Sequence, residues 1–126
     1  MHKKVLMLDE VYFVKPWKEG IEVRLVCDVT LTESLDKGDG AVQSGIDLVI
    51  IEPYLYHAGS QNKSALQLLI KAKLNSIPIY AVSTQSAETL KEYGFILGKN
   101  IDYFSRKPVS SDEFYGTVAR IMGIAK

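Results

Sequence analysis

Apolar residues fall into short unbroken runs, separated by longer stretches with a helical repeat. Val5 to Leu8, Leu48 to Ile51 and Ile79 to Val82 are continuous apolar runs. Runs of that length predict strands buried on both faces, as in a parallel sheet. A further short strand falls within Ile101 to Arg106, around Tyr103-Phe104. Ile21 to Leu31 has another pattern: Ile21, Val23, Leu25, Cys27, Val29 and Leu31 alternate with Glu22, Arg24, Val26, Asp28 and Thr30. Such near-strict period two predicts a half-exposed strand at a sheet edge.

Helices fit between these strands. Thr32 to about Gln43 is a candidate weakened by Gly38 and Gly40, and Ser64 to Asn75 carries Leu66, Leu69, Ile70 and Lys73 at helical spacing. Ser86 to Leu97 places Leu90, Tyr93 and Leu97 on one stripe, interrupted by Gly94. The last helix has the clearest signal. Ser110-Ser111-Asp112-Glu113 is a capping box, and Phe114, Val118, Ile121 and Met122 form an apolar face behind it. After the first strand, Val11 to Val14 is apolar without helical spacing and Pro16 follows. Only a short helix over Pro16 to Glu19 is expected there, with proline at its first position and Trp17 closing the core.

Strands alternating with helices predict a parallel sheet with helices on both faces and right-handed crossovers. Five strands in 126 residues give a flavodoxin-like (βα)5 three-layer sandwich with strand order 2-1-3-4-5. The alternating second strand suits an edge in that order. One domain spanning residues 1–126 is expected, with no output domain, linker or internal repeat.

Composition changes this picture little. Hydrophobic residues make up 47% and charged residues 24%, while Lys+Arg and Asp+Glu balance at 15 each. No long-range field would draw the chain to nucleic acid or an anionic membrane. Cys27 is the sole cysteine, which excludes an intrachain disulfide and a cysteine metal cluster. The basic Met1-His2-Lys3-Lys4 start is followed by too short an apolar run for a signal peptide or membrane span. A cytoplasmic location is therefore expected, and the Asn62-Lys63-Ser64 sequon carries no meaning there.

The candidate chemistry lies at strand ends. Ligand sites in such sheets lie beyond the carboxyl ends of the strands. Asp9 and Glu10 follow the first strand, Glu52 the third, Ser83 closes the fourth, and Lys107-Pro108 follow the fifth. With Phe104 three positions before the lysine, this series resembles the receiver domain of two-component response regulators over almost the whole chain. The resemblance implies that Asp9 and Glu10 are the acid pocket and that Glu52 stands at the phosphoacceptor position. It makes Ser83, Lys107 and Pro108 the phosphate pocket, with a cis Lys107–Pro108 peptide, and Phe104 the switch aromatic. It further implies Mg²⁺ held by Asp9, Glu10 and Glu52, through oxygen ligands of the kind a hard cation requires. A protein partner or a homodimer would use the surface formed by the fourth helix, fifth strand and last helix.

Three departures qualify the resemblance. Glu52 replaces an aspartate, and its extra methylene spoils the reach for in-line attack, so no acyl phosphate is expected. A glutamate carries one negative charge where a phosphate brings about 1.5 to 2, so its mimicry of the phosphorylated state is partial. Glu52 is instead expected to pair with Lys107, which would compete with Mg²⁺. Pro53 follows the acid at once rather than at a distance of four, and the short first helix weakens the case for docking a histidine kinase.

Each residue also has a plainer role open to it. Asp9 and Glu10 would serve as solvated acids at a strand end, Lys107-Pro108 as a turn, Ser83 as a helix cap, Phe104 as core and His57 as a loop residue. Tyr54-Leu55-Tyr56 is either a collapsed mouth of the site or a partner contact.

The chain is therefore expected to be a receiver-like signalling domain, a pseudo-receiver acting by protein contact, and not an enzyme. The alternatives are a phosphorylatable single-domain response regulator and a Mg²⁺-dependent phosphohydrolase using the same acids. Against the hydrolase, the chain lacks a D-x-D after the first strand, a G-x-S-x-G elbow and a Cys/His pair. A cofactor domain of flavodoxin type would need a phosphate loop where Asp9-Glu10-Val11-Tyr12 stands.

Overall fold

The computed structural model describes residues 2–124. Its elements run β1 (Lys4–Leu8), α1 (Val11–Arg24), β2 (Asp28–Thr32), α2 (Leu35–Ser44), β3 (Leu48–Ile51), a 3-10 turn (Pro53–Tyr56), α3 (Gly59–Leu74), β4 (Ile79–Ser83), α4 (Ala87–Glu92), β5 (Tyr103–Arg106) and α5 (Ser111–Met122). The five strands form one sheet in the order β2-β1-β3-β4-β5, and every neighbouring pair is parallel. This is the flavodoxin-like arrangement that the sequence pattern predicts.

Successive strand residues point to opposite faces, so each inner strand feeds two cores. Leu6, Leu8, Val49, Ile51, Ile79 and Ala81 pack with α2, α3 and α4, including Val42, Leu68, Leu69 and Leu90. Val5, Met7, Leu48, Ile50, Tyr80 and Val82 pack with α1 and α5, including Val14, Ile21, Phe114 and Val118. The Ser110 hydroxyl accepts the Glu113 N–H at 3.1 Å and caps α5 as the capping box predicts.

Two expectations are corrected. The first helix is not truncated: α1 has 14 residues and continues through Pro16. Proline costs a helix interior about 3 kcal/mol, so packing must hold this turn. Trp17 supplies part of it, its ring centroid 4.5 Å from Phe114 and 5.6 Å from Tyr115. The chain therefore has a full-length first helix, and no missing helix weakens the case for kinase docking.

The alternating stretch Ile21 to Leu31 is also not one strand. Its first four residues end α1, the backbone reverses at Val26 with φ +54°, and β2 starts only at Asp28. Val23, one of the apolar residues that create the alternation, is 78% exposed and faces solvent. Ile21 and Leu25, buried and one turn apart, follow helical spacing instead. The edge position of β2 itself stands.

Smaller differences concern lengths. α3 begins at Gly59 rather than near Ser64. α4 stops at Glu92, short of Leu97, because Gly94 adopts φ +91°, a left-handed backbone that ends a helix. No helix among the described residues is long and apolar enough to cross a membrane.

Candidate functional site

Strand register gathers the candidate residues. Leu8 lies opposite Ile51, so Asp9 and Glu52, one step further on, leave the sheet side by side. Ser83 lies opposite Arg106, which sets Thr84 level with Lys107. The Lys107 N–H donates to the Ser83 carbonyl at 2.7 Å and holds that level. The Lys107–Pro108 peptide is cis, as the resemblance implies.

The side chains form one connected network. The Lys107 ammonium donates to Asp9 Oδ2 at 2.9 Å and stands 3.7 Å from Glu52 Oε1. The expected Glu52–Lys107 pair is thus secondary, and Asp9 is the lysine's closer partner. Asp9 Oδ1 accepts the Glu10 N–H at 2.7 Å. Glu52 Oε1 accepts the Thr84 backbone N–H at 2.9 Å and lies 3.5 Å from the Thr84 hydroxyl. Glu52 Oε2 accepts the Tyr54 N–H at 3.2 Å, which caps the 3-10 turn. The Glu52 carboxylate thus reaches across from the end of β3 to the loop after β4.

Not every predicted residue takes the predicted place. Ser83 is fully buried, and its hydroxyl accepts the Gln85 N–H at 3.0 Å. It does not cap α4, because Ser86 does that. Thr84, the next residue, lines the site instead. Phe104 is half-buried and packs against the core beneath α3 and α4. Tyr56 is core, with its hydroxyl donating to the Glu33 carbonyl at 2.8 Å. Tyr54 and Leu55 line an open cavity of about 490 Å³ together with Asp9, Glu52 and Thr84, so the mouth is not collapsed. His57 joins that wall. Its ring stacks on Tyr54 at 4.2 Å, and its Nδ1 lies 2.7 Å from the Tyr54 carbonyl, which places the proton on Nδ1.

The Mg²⁺ set does not fit this arrangement. Both oxygens of Asp9 and both of Glu52 accept hydrogen bonds from the chain's own donors. Glu10 stays exposed. Among the described residues no three His, Cys, Asp or Glu side chains converge as metal ligands. Lys107 already supplies the positive charge that a cation would bring to Asp9.

Burial pushes the Asp9 carboxyl above its usual range. That effect outweighs the opposing hydrogen bond and charge of Lys107, and the nearby Glu52 charge adds to it. A carboxyl raised in the folded state binds its proton more tightly there than in the unfolded chain. Stability then falls as pH rises from the unfolded value of 3.8 through the raised folded one. The ionised Asp9 is a net cost at neutral pH. Asp9→Asn is expected to unfold no more readily than the wild type at pH 7 and to lose this acid-side slope, as read by urea denaturation at stepped pH. A variant clearly weaker at pH 7 would show that the ion pair wins.

No family model matches the sequence, and no curated protein matches it. Solved structures match its fold. A CheY-like response regulator receiver domain from Methanospirillum hungatei superposes with a TM-score of 0.75 at 14% identity, covering 98% of this chain and 95% of that one. The signal receiver domain of an HD domain-containing protein from Pseudomonas fluorescens gives a TM-score of 0.75 at 15% identity, with 98% and 96% covered. The non-phosphorylated HemR receiver domain from Leptospira biflexa gives 0.70 at 19% identity, with 100% and 98% covered. The chain has the receiver-domain fold of two-component signalling proteins.

Proposed function

We propose that the chain is a signalling module of the receiver type that works by protein contact and carries no phosphoryl group. One observation carries this reading. The carboxylate at the acceptor position, Glu52, is held by the Thr84 and Tyr54 backbone N–H groups, while Lys107 is turned to Asp9. Donors that would otherwise meet a phosphoryl group are occupied by a side chain of the protein. The loop after β4 is thereby tied to the end of β3 without any modification, so the module presents one standing shape. Its partner, another protein or a second copy, would read the surface of α4, β5 and α5. The same occupied oxygens argue against a Mg²⁺-dependent phosphohydrolase, since hydrolysis by that route needs free metal ligands.

The test is incubation with Mg²⁺ and acetyl phosphate, followed by intact mass. The expected result is an unmodified chain and no consumption of the donor. A stoichiometric phosphate adduct would overturn the reading, and steady donor turnover would favour an enzyme. Glu52→Asp, run alongside, separates two causes. An adduct on that variant alone assigns the loss to the extra methylene. No adduct on either assigns it also to the Asp9–Lys107 arrangement.

A further inference from the structure

A second cavity, of about 280 Å³, opens on the α1/α5 face of the sheet. Met7, Ile50 and Val82 line it from the sheet, and Val14, Trp17 and Phe114 from α1 and α5. All of these but Trp17 are buried. Interiors at normal packing density leave few voids larger than a water molecule. Roughly 150 Å³ of apolar space holds a benzene ring, so this volume admits a ring with a short arm.

The polar end offers no free charge. Among the described residues, the charged side chains that line the cavity are Asp9 and Lys107, and they pair with each other at 2.9 Å. The other Asp9 oxygen accepts the Glu10 N–H, so no carboxylate oxygen is left for a ligand ammonium. A ligand carboxylate would find the lysine's charge already balanced. Either ion would give up its hydration on entry and meet no counter-charge in return. Water gains little over the rest of the wall. A buried water needs about two to four polar partners, and away from the ion pair the lining side chains are apolar or aromatic. Such a wall lacks dispersion partners until an apolar body fills the space. The Lys107 ammonium has more N–H donors than its bond to Asp9 uses, and a ligand hydroxyl can accept one without bringing a charge.

We infer that this cavity binds a small neutral apolar molecule, one ring in size and bearing at most a hydroxyl. Its body lies against Trp17 and Phe114, and its head faces the Asp9–Lys107 pair, which borders the outer cavity as well. The site does not depend on whether Glu52 ever carries a phosphoryl group, and a phosphate adduct would leave this inference standing.

Trp17 is the only tryptophan, so its fluorescence reports on the cavity. Phenylethanol, phenethylamine and phenylpropionate share an apolar body and differ in the charge of the head. The alcohol is expected to give a saturable change, with affinity about tenfold or more above that of either ion, as an uncompensated loss of hydration implies. Val82→Phe, which fills the cavity, should abolish the response to the alcohol. Far-UV circular dichroism checks that the variant folds, and if it does not, the comparison of the three heads on the wild type decides. The proposal is overturned by no saturable response to the alcohol, by either ion binding as tightly as the alcohol, or by undiminished alcohol binding in folded Val82→Phe.

Discussion

Lys107→Met is expected to destabilise the folded chain by about 2 to 4 kcal/mol at pH 7. The substitution keeps most of the apolar stem and removes the ammonium. Asp9 and Glu52, with side chains 10% and 8% exposed, would then face each other without a counter-charge. Breaking a buried pair from one side leaves the other charge desolvated, at a typical cost of about 3 to 5 kcal/mol. The lower estimate reflects the lysine's own exposure of 26% and the proton that Asp9 can take up. That proton sets the sign of the pH dependence. The loss should be largest at neutral pH and shrink as pH falls through Asp9's raised range. Asp9→Asn/Lys107→Met removes the closer pair, leaves Glu52 with its two backbone N–H donors, and should recover part of the stability, with a coupling of about 1 to 3 kcal/mol. Urea denaturation of the four proteins in this cycle measures it. A loss below about 0.5 kcal/mol for Lys107→Met, within the range of ordinary surface substitutions, would mean that the lysine is not the counter-charge of this site.

The second large effect lies in α1. Gly20→Ala adds a methyl group and replaces a poor helix former with the best one, a gain of up to about 1 kcal/mol in an open helix. Here the new Cβ would lie 1.8 Å from the Tyr115 hydroxyl oxygen and 2.5 Å from its ring carbon Cζ. Tyr115 cannot yield freely. It is buried, Trp17 and Phe114 pack on it, and the Arg24 guanidinium lies 4.4 Å from its ring centroid. Overpacking of this kind costs about 1 to 3 kcal/mol and should exceed the gain, so the melting temperature is expected to fall. With Tyr115→Leu as background the obstruction is gone, and the same Gly20→Ala change should stabilise. A wild-type background in which Gly20→Ala stabilises would contradict the tight α1–α5 contact.

The same two regions explain what the sequence made legible. β1, β3 and β4 were readable because both their faces are buried and the runs are continuous. α5 was readable because its cap and its apolar stripe agree. α1 and β2 were misread for a physical reason. Val23 is an exposed apolar residue, which a pattern of residue types cannot tell from a buried one, and Pro16 suggests a break that packing of Trp17 overrides. In the site, Asp9, Glu52 and Lys107 were legible because each follows a strand. Their pairing was not. Lys107 stands 2.9 Å from Asp9 and 3.7 Å from Glu52, a difference of side-chain placement that residue types along a strand do not encode. That Thr84 and not Ser83 faces the cavity follows from where β4 ends. Strand alternation through Val82, Ser83 and Thr84 was the signal that could have separated them.

Glu52 ties the β3 end to the loop after β4 through the Thr84 N–H, and we propose that it does so in place of a phosphoryl group. Amide hydrogen exchange at Thr84 and Tyr54, read by NMR, tests it most directly. The account predicts both amides protected in the wild type, unchanged by Mg²⁺ and acetyl phosphate, and fast in Glu52→Ala. Fast exchange at Thr84 in the wild type, or protection that appears only with the phosphodonor, would contradict it.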